Sequence, residues 1–372
     1  MKFIHVGDLH IGKIVHEFSM LEDQKWALNE LLNLIKEETP DALVIAGDLY
    51  DRSVPPADAV QALSDFFTKV LKETNTKILT IAGNHDSSER LSFLQSILEK
   101  EGLYIEGSYS GKVKKVKIKD SIFYLLPYTD PSEVRKIHKD SSIKTHEDAL
   151  KYIFENTDID ENSILISHCF VGGMSSTCDS ERPLSIGNVD IVSPEIFKDF
   201  KYVALGHLHR PQKVLRETIR YSGSLLKYSV SEYNQKKSVT IVNIDNGNVN
   251  IETKCLNLKR DLRVVKGYLK DLINPKNYKG ENLDDYVFAH LLDEGEVVDA
   301  IGSLRGVYKN VLGLRKASRE REDVVLDNNK NYKEKSIDDL FLDFYLDFKE
   351  IDENRKDKII DEIKSVAEEV IS

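Results

Sequence analysis

The sequence predicts an α/β protein built on a mostly parallel sheet, followed by a smaller α+β unit. Three observations carry this reading. Short β-rich runs alternate with helix-spaced apolar residues from the start of the chain, a Pro-Pro step opens one of those helices, and hairpin signals appear only later. Phe3 to Val6 reads as a strand, Met20 to Ile35 as an amphipathic helix and Ala42 to Ala46 as a second strand. Pro55-Pro56 then opens a helix carrying Val60, Leu63, Phe66, Phe67 and Val70 on one face, and Ile78 to Ala82 completes a βαβαβ series. Loops at the carboxyl ends of such strands are where ligands bind. The pattern next turns antiparallel, with Val113 to Ile118 beside Ile122 to Leu126. Val239 to Ile244 and Val249 to Thr253 follow, joined by Asn246-Gly247, a strong hairpin signal.

These elements define a first domain over residues 1–260. Residues 261–326 read as the α+β unit, with a segment from Leu269 to Ile273, a strand at Tyr286-Val287-Phe288-Ala289 and a helix from Val297 to Val307. Residues 327–336, DNNKNYKEKS, are polar and read as a linker. Residues 337–372 carry two helical faces, one of Ile337, Leu340, Phe341, Phe344, Tyr345 and Phe348, the other of Ile359, Ile360, Ile363, Val366, Ala367 and Val370. Two helices cannot bury these faces alone, so they must dock either on their own domain or, the reading preferred, on a partner protein.

Composition narrows the function classes. A formal charge of −11 argues against a free-standing nucleic-acid binder that relies on bulk attraction, although local basic patches remain possible. Cys169, Cys178 and Cys255 are odd in number and lack metal-type spacing, which suits reduced thiols in a cytoplasm. No apolar run approaches the roughly 20 residues that span a bilayer, so a soluble cytoplasmic protein is expected, with no membrane partner.

The chemistry-bearing residues gather at strand ends. Phe3 to Gly7 ends in Asp8-Leu9-His10, Leu43 to Gly47 in Asp48, Leu79 to Gly83 in Asn84-His85-Asp86, Ile164 to Ser167 in His168, and Tyr202 to Gly206 in His207-Leu208-His209. In the last of these, imidazoles at i and i+2 of an extended segment point to one side and can converge on a metal, on a phosphate or on nothing. Singly, each group has a plain alternative as a helix cap, a turn residue or a loop histidine. Jointly, five strands ending in candidate ligands point to a metal centre. Two cations about 3.5–4 Å apart need a shared carboxylate between them, and Asp48 is the candidate. Mixed carboxylate, imidazole and amide ligation favours manganese, iron or zinc over an all-oxygen magnesium or calcium site, with manganese the first choice. Ions so held lower the pKa of water toward neutrality for attack on phosphorus.

This series, Asp8-x-His10, Gly47-Asp48, Gly83-Asn84-His85-Asp86, His168 and Gly206-His207-x-His209, resembles the calcineurin-like metallophosphoesterase superfamily. Within it, the runs GDLYDRSVPP, SERPLSIG, YVALGHLHRPQ and IRYSGSLLKYSVSE are similar to the SbcD family of bacterial nuclease subunits, over residues 1 to about 320. The resemblance implies a four-layer αββα sandwich with a small α+β capping domain and C-terminal partner-binding helices. It implies that Asp8, His10, Asp48 and His209 hold one metal, and that Asp48, Asn84, His168 and His207 hold the other. His85 would face the scissile phosphate, with Asp86 after it as the second candidate catalytic residue. A protonated imidazole would stabilise the phosphorane or protonate the leaving oxygen, and a carboxylate contact would raise its pKa. Asp51 and Arg52 are assigned to a supporting shell around the ligands or to the domain edge, with plain capping the alternative.

The resemblance further implies 3′→5′ exonuclease and single-strand endonuclease activity on double-stranded ends or hairpins, in DNA repair and recombination. It also implies a homodimer through first-domain helices and an SbcC-like coiled-coil ATPase bound at residues 337–372. No GxxxxGK[ST] loop occurs here, so ATP would bind the partner. In the capping unit Arg305, Lys309, Arg315, Lys316, Arg319 and Arg321 form a basic cluster suited to a phosphate backbone. The rival readings are a stand-alone phosphodiesterase acting on nucleotides and a non-catalytic scaffold, against which the full ligand set speaks.

Overall fold

Every position of the strand Ala42–Ile45 is buried, and the same holds for Ser163–His168 and Tyr202–Gly206. A strand turns alternate residues to opposite faces, so runs apolar throughout must be covered on both sides. The computed structural model describes residues 1–172, 177–181, 191–245 and 247–316, and shows how this is met. One six-stranded sheet runs, in spatial order, Asn248–Lys254, Val239–Asp245, Lys2–Val6, Ala42–Ile45, Lys77–Ile81 and Leu103–Glu106. Its last four strands are mutually parallel, and the Val239–Asp245 hairpin adds antiparallel to Lys2–Val6. The other sheet runs Gln212–Val214, Arg216–Tyr221, Tyr202–Gly206, Ser163–His168, Ser121–Leu126 and Lys114–Ile118, again parallel through its four central strands.

Alternation sorts the apolar residues into three layers of core. Phe3, Val44, Leu79, Phe123, Ile166, Tyr202 and Ala204 meet between the sheets. Ile4, Val6, Leu43, Ile45 and Ile78 face the other way, against Leu28, Leu31, Ile35, Leu63, Phe66 and Val70 of the helices Leu21–Glu38 and Ala57–Glu73. Leu165, Val203 and Leu205 face outward from the second sheet onto Val134, Ala149, Leu150 and Ile153 of the helices Pro131–His138 and His146–Glu155. Helix, sheet, sheet and helix therefore stack as the four-layer αββα sandwich that the sequence led us to expect. Among the described residues no helix is long and apolar enough to cross a membrane.

The segment after Lys254 differs from expectation in detail. A three-stranded parallel sheet, Leu262–Gly267, Tyr286–Leu291 and Asn310–Lys316, forms where the sequence pattern indicates only the middle strand. The helix expected from Val297 spans only Ala300–Arg305, because Asp299 takes a left-handed backbone (φ 46°) and its side chain caps Gly302 N–H. One face of this sheet packs Val287, Ala289 and Val311 on Leu269, Leu304 and Tyr308, while Leu262, Tyr286 and Leu312 join the core of the first helical layer. A partly buried ion pair crosses that seam. Arg260 donates to both carboxylate oxygens of Asp23 at 2.8 and 2.7 Å, and the Tyr286 hydroxyl donates to the same carboxylate at 2.8 Å. The described residues all fall within one compact unit. Arg319, Arg321, the linker expected at 327–336 and the helices expected at 337–372 lie outside the described residues.

Candidate metal centre

The two sheets turn the carboxyl ends of their parallel strands toward one cleft, and the fit there is close. A side chain on Gly206 would place its Cβ 1.7 Å from the Ala46 carbonyl oxygen and 2.8 Å from His168 Nδ1. The nearer obstacle is backbone, which cannot yield as a flexible side chain would. Gly206→Ala is expected to lower stability by about 1–3 kcal/mol or more, read as a fall in melting temperature, and to weaken divalent-metal binding in the same protein.

Around this contact the structure gathers Asp8, His10, Asp48, Asn84, His168, His207 and His209. One oxygen of Asp48, Oδ2, lies 3.6 Å from His10 Nε2 and 3.5 Å from His168 Nε2, midway between the two groups of ligands. Its other oxygen accepts from His85 N–H at 2.9 Å. On one side His10 Nε2 and His209 Nε2 stand 3.0 Å apart; on the other His168 Nε2 is 2.9 Å from Asn84 Oδ1. His207 completes that side, its ring centroid 5.4 Å from that of His168 and its N–H donating to Asp8 Oδ1 at 2.8 Å. Asp8 and Asp48 with His168, and Asp8 with His10 and His209, form two sets of buried groups close enough to share an ion.

Four observations show that these residues fit divalent cations. Asp8 Oδ2 is buried without a hydrogen-bond partner, which is costly unless another species satisfies it. His168 Nδ1 donates to the Ala46 carbonyl at 2.9 Å, so its Nε2 presents a lone pair to the Asn84 carbonyl oxygen. Two acceptors at that separation call for a positive species between them. Burial, reinforced by neighbouring imidazoles, pushes the pKa of His10 and His207 well down, and burial also lowers His168, so these rings stay neutral as ligation requires. Burial and the Asp48 carboxylate push Asp8 well up, a repulsion that bound cations would relieve. The backbone is also held unusually. Asp8, His10, Asp48 and His207 all have positive φ, at 52°, 44°, 50° and 108°, a region uncommon for side-chain-bearing residues, yet four of them gather in this one cleft.

His85 stands at the mouth of the cleft, half-buried, with its ring 4.8 Å from that of His10. Its Nδ1 donates to the Asp51 carbonyl at 2.9 Å, leaving Nε2 as the atom that can give or take a proton. Asp86 does not serve the His85 ring in the way expected of a catalytic neighbour. Its oxygens accept from the backbone N–H groups of Gly83, Tyr50 and Leu49 at 2.9, 3.0 and 3.1 Å, tying the Asp48 and Asn84 loops together. The physical reason is local: on this turn consecutive side chains diverge, so adjacency in sequence is not contact. Asp51 is a supporting residue, its Oδ1 2.7 Å from Lys13 Nζ and 3.7 Å from His10 Nδ1. Arg52 points to solvent, its Nε 3.8 Å from Asp51 Oδ2.

A second ring of residues went unread in the sequence. Ser180 Oγ is 2.7 Å from His209 Nδ1 and donates to Glu232 Oε1 at 2.5 Å, and Glu181 Oε1 accepts His209 N–H at 2.7 Å. Gln24 Nε2 donates to the His10 carbonyl at 2.7 Å, and the Tyr228 hydroxyl donates to the Leu9 carbonyl at 2.5 Å. The signal available was the pair of runs SERPLSIG and IRYSGSLLKYSVSE, which carry Ser180, Glu181, Tyr228 and Glu232 but give no hint of which side chains turn inward.

The described members of the basic cluster, Arg305, Lys309, Arg315 and Lys316, do not line one strand face. Arg305 ends a helix, Lys309 pairs with Asp284 at 2.6 Å, and Arg315 and Lys316 are consecutive on a strand and so point to opposite faces. Lys316 Nζ donates to the Gly295 carbonyl at 2.8 Å. Strand pairing instead aligns Arg315 with His290 and His290 with Lys266, a row of three across one face that spacing in the sequence did not reveal.

Comparison with known proteins identifies the first domain by its family. Residues 1–211 match the family model of the calcineurin-like phosphoesterases, and residues 258–347 match SbcD_C, described as the type 5 capsule protein repressor C-terminal domain. Among solved structures the chain is similar to TT1561 of Thermus thermophilus, at 12% identity, covering 68% of this chain and 98% of that one with a TM-score of 0.38. It is similar to Yfce, a phosphoesterase from E. coli, at 14% identity, 69% and 100% coverage and a TM-score of 0.29. A dimetal phosphatase from Danio rerio is similar at 11% identity, 68% and 95% coverage and a TM-score of 0.41.

Proposed function

Since the chain belongs to the calcineurin-like phosphoesterase family and carries an SbcD_C match that supports an SbcD-type subunit, we propose that it is the nuclease subunit of an ATP-regulated, SbcCD-type DNA-processing complex. In this reading it hydrolyses phosphodiesters with two divalent ions, manganese by preference, as a 3′→5′ exonuclease on double-stranded ends and an endonuclease on single strands and hairpins, in cytoplasmic DNA repair and recombination. The observation that carries it is the Asp48 Oδ2 oxygen lying 3.6 and 3.5 Å from histidines of two separate ligand groups, in a chain that continues into the SbcD_C match.

Asp8, His10, Asp48 and His209 would hold one ion, and Asp48, Asn84, His168 and His207 the other. When bound, such ions polarise the phosphoryl oxygens and bring the pKa of a water toward neutrality. The chain's own residues supply the rest. The Ala46 carbonyl fixes the His168 tautomer, Asp86 holds the Asp48 and Asn84 loops in register, and His85 Nε2 delivers a proton to the leaving sugar oxygen while Asp51 fixes its ring through Nδ1.

Residues 261–326 serve as the capping domain in this proposal. The row Lys266, His290 and Arg315 is suited to phosphate contacts that position a duplex without reading bases, while Lys316 on the opposite strand face and Lys309 paired with Asp284 stand apart from it. Phe93, Leu94 and Ile97, exposed by 71, 50 and 61% just beyond the His85 loop, suit contact with a second copy of the chain. Residues 337–372 engage the coiled-coil ATPase.

The test is cleavage of blunt, hairpin and single-stranded DNA and of a small phosphodiester by the full chain, with and without the ATPase partner. DNA cleavage that needs manganese, vanishes on chelation and returns on adding the metal back is expected. Comparable turnover of the small diester, indifferent to loss of residues 337–372, would instead favour a stand-alone phosphodiesterase.

A further inference from the structure

His209 is held through both its ring and its backbone by a buried ion pair. Glu232 is fully buried and Lys237 is only 7% exposed, an arrangement that costs several kcal/mol per charge unless every polar atom is met. Here every one is. Glu232 Oε2 accepts from Lys237 Nζ at 2.5 Å, and Oε1 accepts from Ser180 Oγ at 2.5 Å, Tyr228 N–H at 3.1 Å and Ser229 Oγ at 3.2 Å. The three N–H protons of the Lys237 ammonium are shared among this carboxylate, the His209 carbonyl at 2.7 Å, Gln235 Oε1 at 2.9 Å and Ser224 Oγ at 3.0 Å. Gly223 makes room for this approach, since a Cβ there would lie 2.5 Å from the same His209 carbonyl oxygen.

The direction of the hydrogen bonds follows from counting protons. Paired to an ammonium, the Glu232 carboxylate can only accept, so the single hydroxyl proton of Ser180 must go to it. The Ser180 oxygen is then left to accept, from His209 Nδ1 at 2.7 Å and from the Cys178 thiol at 3.2 Å. His209 is therefore set as the Nδ1–H tautomer, with its Nε2 lone pair facing the cleft beside His10 Nε2 at 3.0 Å.

We propose that Glu232, acting through Ser180 and anchored by Lys237, is a positioning residue that fixes the tautomer and aim of His209, a carboxylate–hydroxyl–imidazole relay serving one half of the metal centre. This rests on His209 being a metal ligand. It explains why a buried ion pair is placed here, where an apolar pair of equal volume would serve stability as well or better. It also separates the two halves of the cleft, since His168 on the other side takes its tautomer from a backbone carbonyl.

Glu232→Gln is the informative change. The amide would turn its oxygen to Lys237 and its NH2 to Ser180, so the hydroxyl proton would swing onto His209 Nδ1 and the ring would carry its proton on Nε2. Manganese titration of the metal-free full chain by calorimetry is expected to show one of two sites weakened about 10- to 100-fold, with the other unchanged. Nitrogen NMR of histidine-labelled, metal-free protein is expected to show His209 passing from the Nδ1–H to the Nε2–H tautomer. Ser180→Ala removes the relay but leaves the ion pair intact, and is expected to weaken the same site should the Glu232 variant not fold. Two wild-type manganese affinities in both variants, or a His209 tautomer that is Nε2–H in the wild type, would overturn the proposal. Neither readout uses DNA, so a chain that binds two ions through this relay yet leaves DNA uncut would count against the nuclease reading alone.

Discussion

Asp48→Ala is expected to abolish phosphodiester cleavage, by at least about a thousandfold, and to remove binding at both metal positions together. The size follows from what a shared carboxylate does. Stabilising the charge of a phosphoryl transition state by metal is worth several kcal/mol, and each ~1.36 kcal/mol is a factor of ten in rate. Asp48 Oδ2 stands 3.6 and 3.5 Å from histidines on the two sides of the cleft, so its removal strips a ligand from both. Its loss would also free the His85 N–H that its other oxygen accepts. Metal content by mass spectrometry and cleavage assays on the same preparation check this. A variant that retains one tight manganese site would show that Asp48 does not bridge.

The second large effect separates chemistry from ligation. His85→Ala is expected to keep both metals and the melting temperature while losing about 10²–10⁴-fold in cleavage rate, the usual contribution of a positioned proton donor. His85 touches the cleft only from its mouth, and its ring is held by a backbone carbonyl and not by a ligand atom. A DNA substrate with a good sulfur leaving group, which needs no proton, should recover much of the lost rate. Equal rates for His85→Ala and the wild type on ordinary DNA in manganese would remove this residue from the mechanism.

The seven ligand candidates were legible because each closes an apolar run, and a run buried on both faces can end only where the chain reaches the sheet edge. Gly47-Asp48 and Gly206-His207 showed this by a glycine set directly before the ligand. Asp86 was misleading for the converse reason: side chains adjacent on a turn need not meet, and its carboxylate went to the backbone of Leu49, Tyr50 and Gly83. Glu232 and Lys237 were invisible because their burial depends on a meeting with Ser180, some fifty residues away in the chain. The strands Leu262–Gly267 and Asn310–Lys316 were missed because parallel pairing is non-local, so neither run announces its neighbour. Helix boundaries erred where a left-handed Asp299 started the helix later than its apolar spacing implied.

The left-handed backbone at Asp8, His10, Asp48 and His207 has an evolutionary consequence. At each, glycine would adopt the same torsion without the penalty of roughly 1–3 kcal/mol that a rarely populated conformation carries. Relief of torsion alone would therefore drift these four sites toward glycine, although losing Asp48 or Asp8 would also free the N–H of His85 or His207 and leave a cavity. Ligand chemistry must oppose that drift at every one of them, so thermostable variants sought by screening for solubility without an activity filter should lose these positions first wherever the relief outweighs the lost contacts.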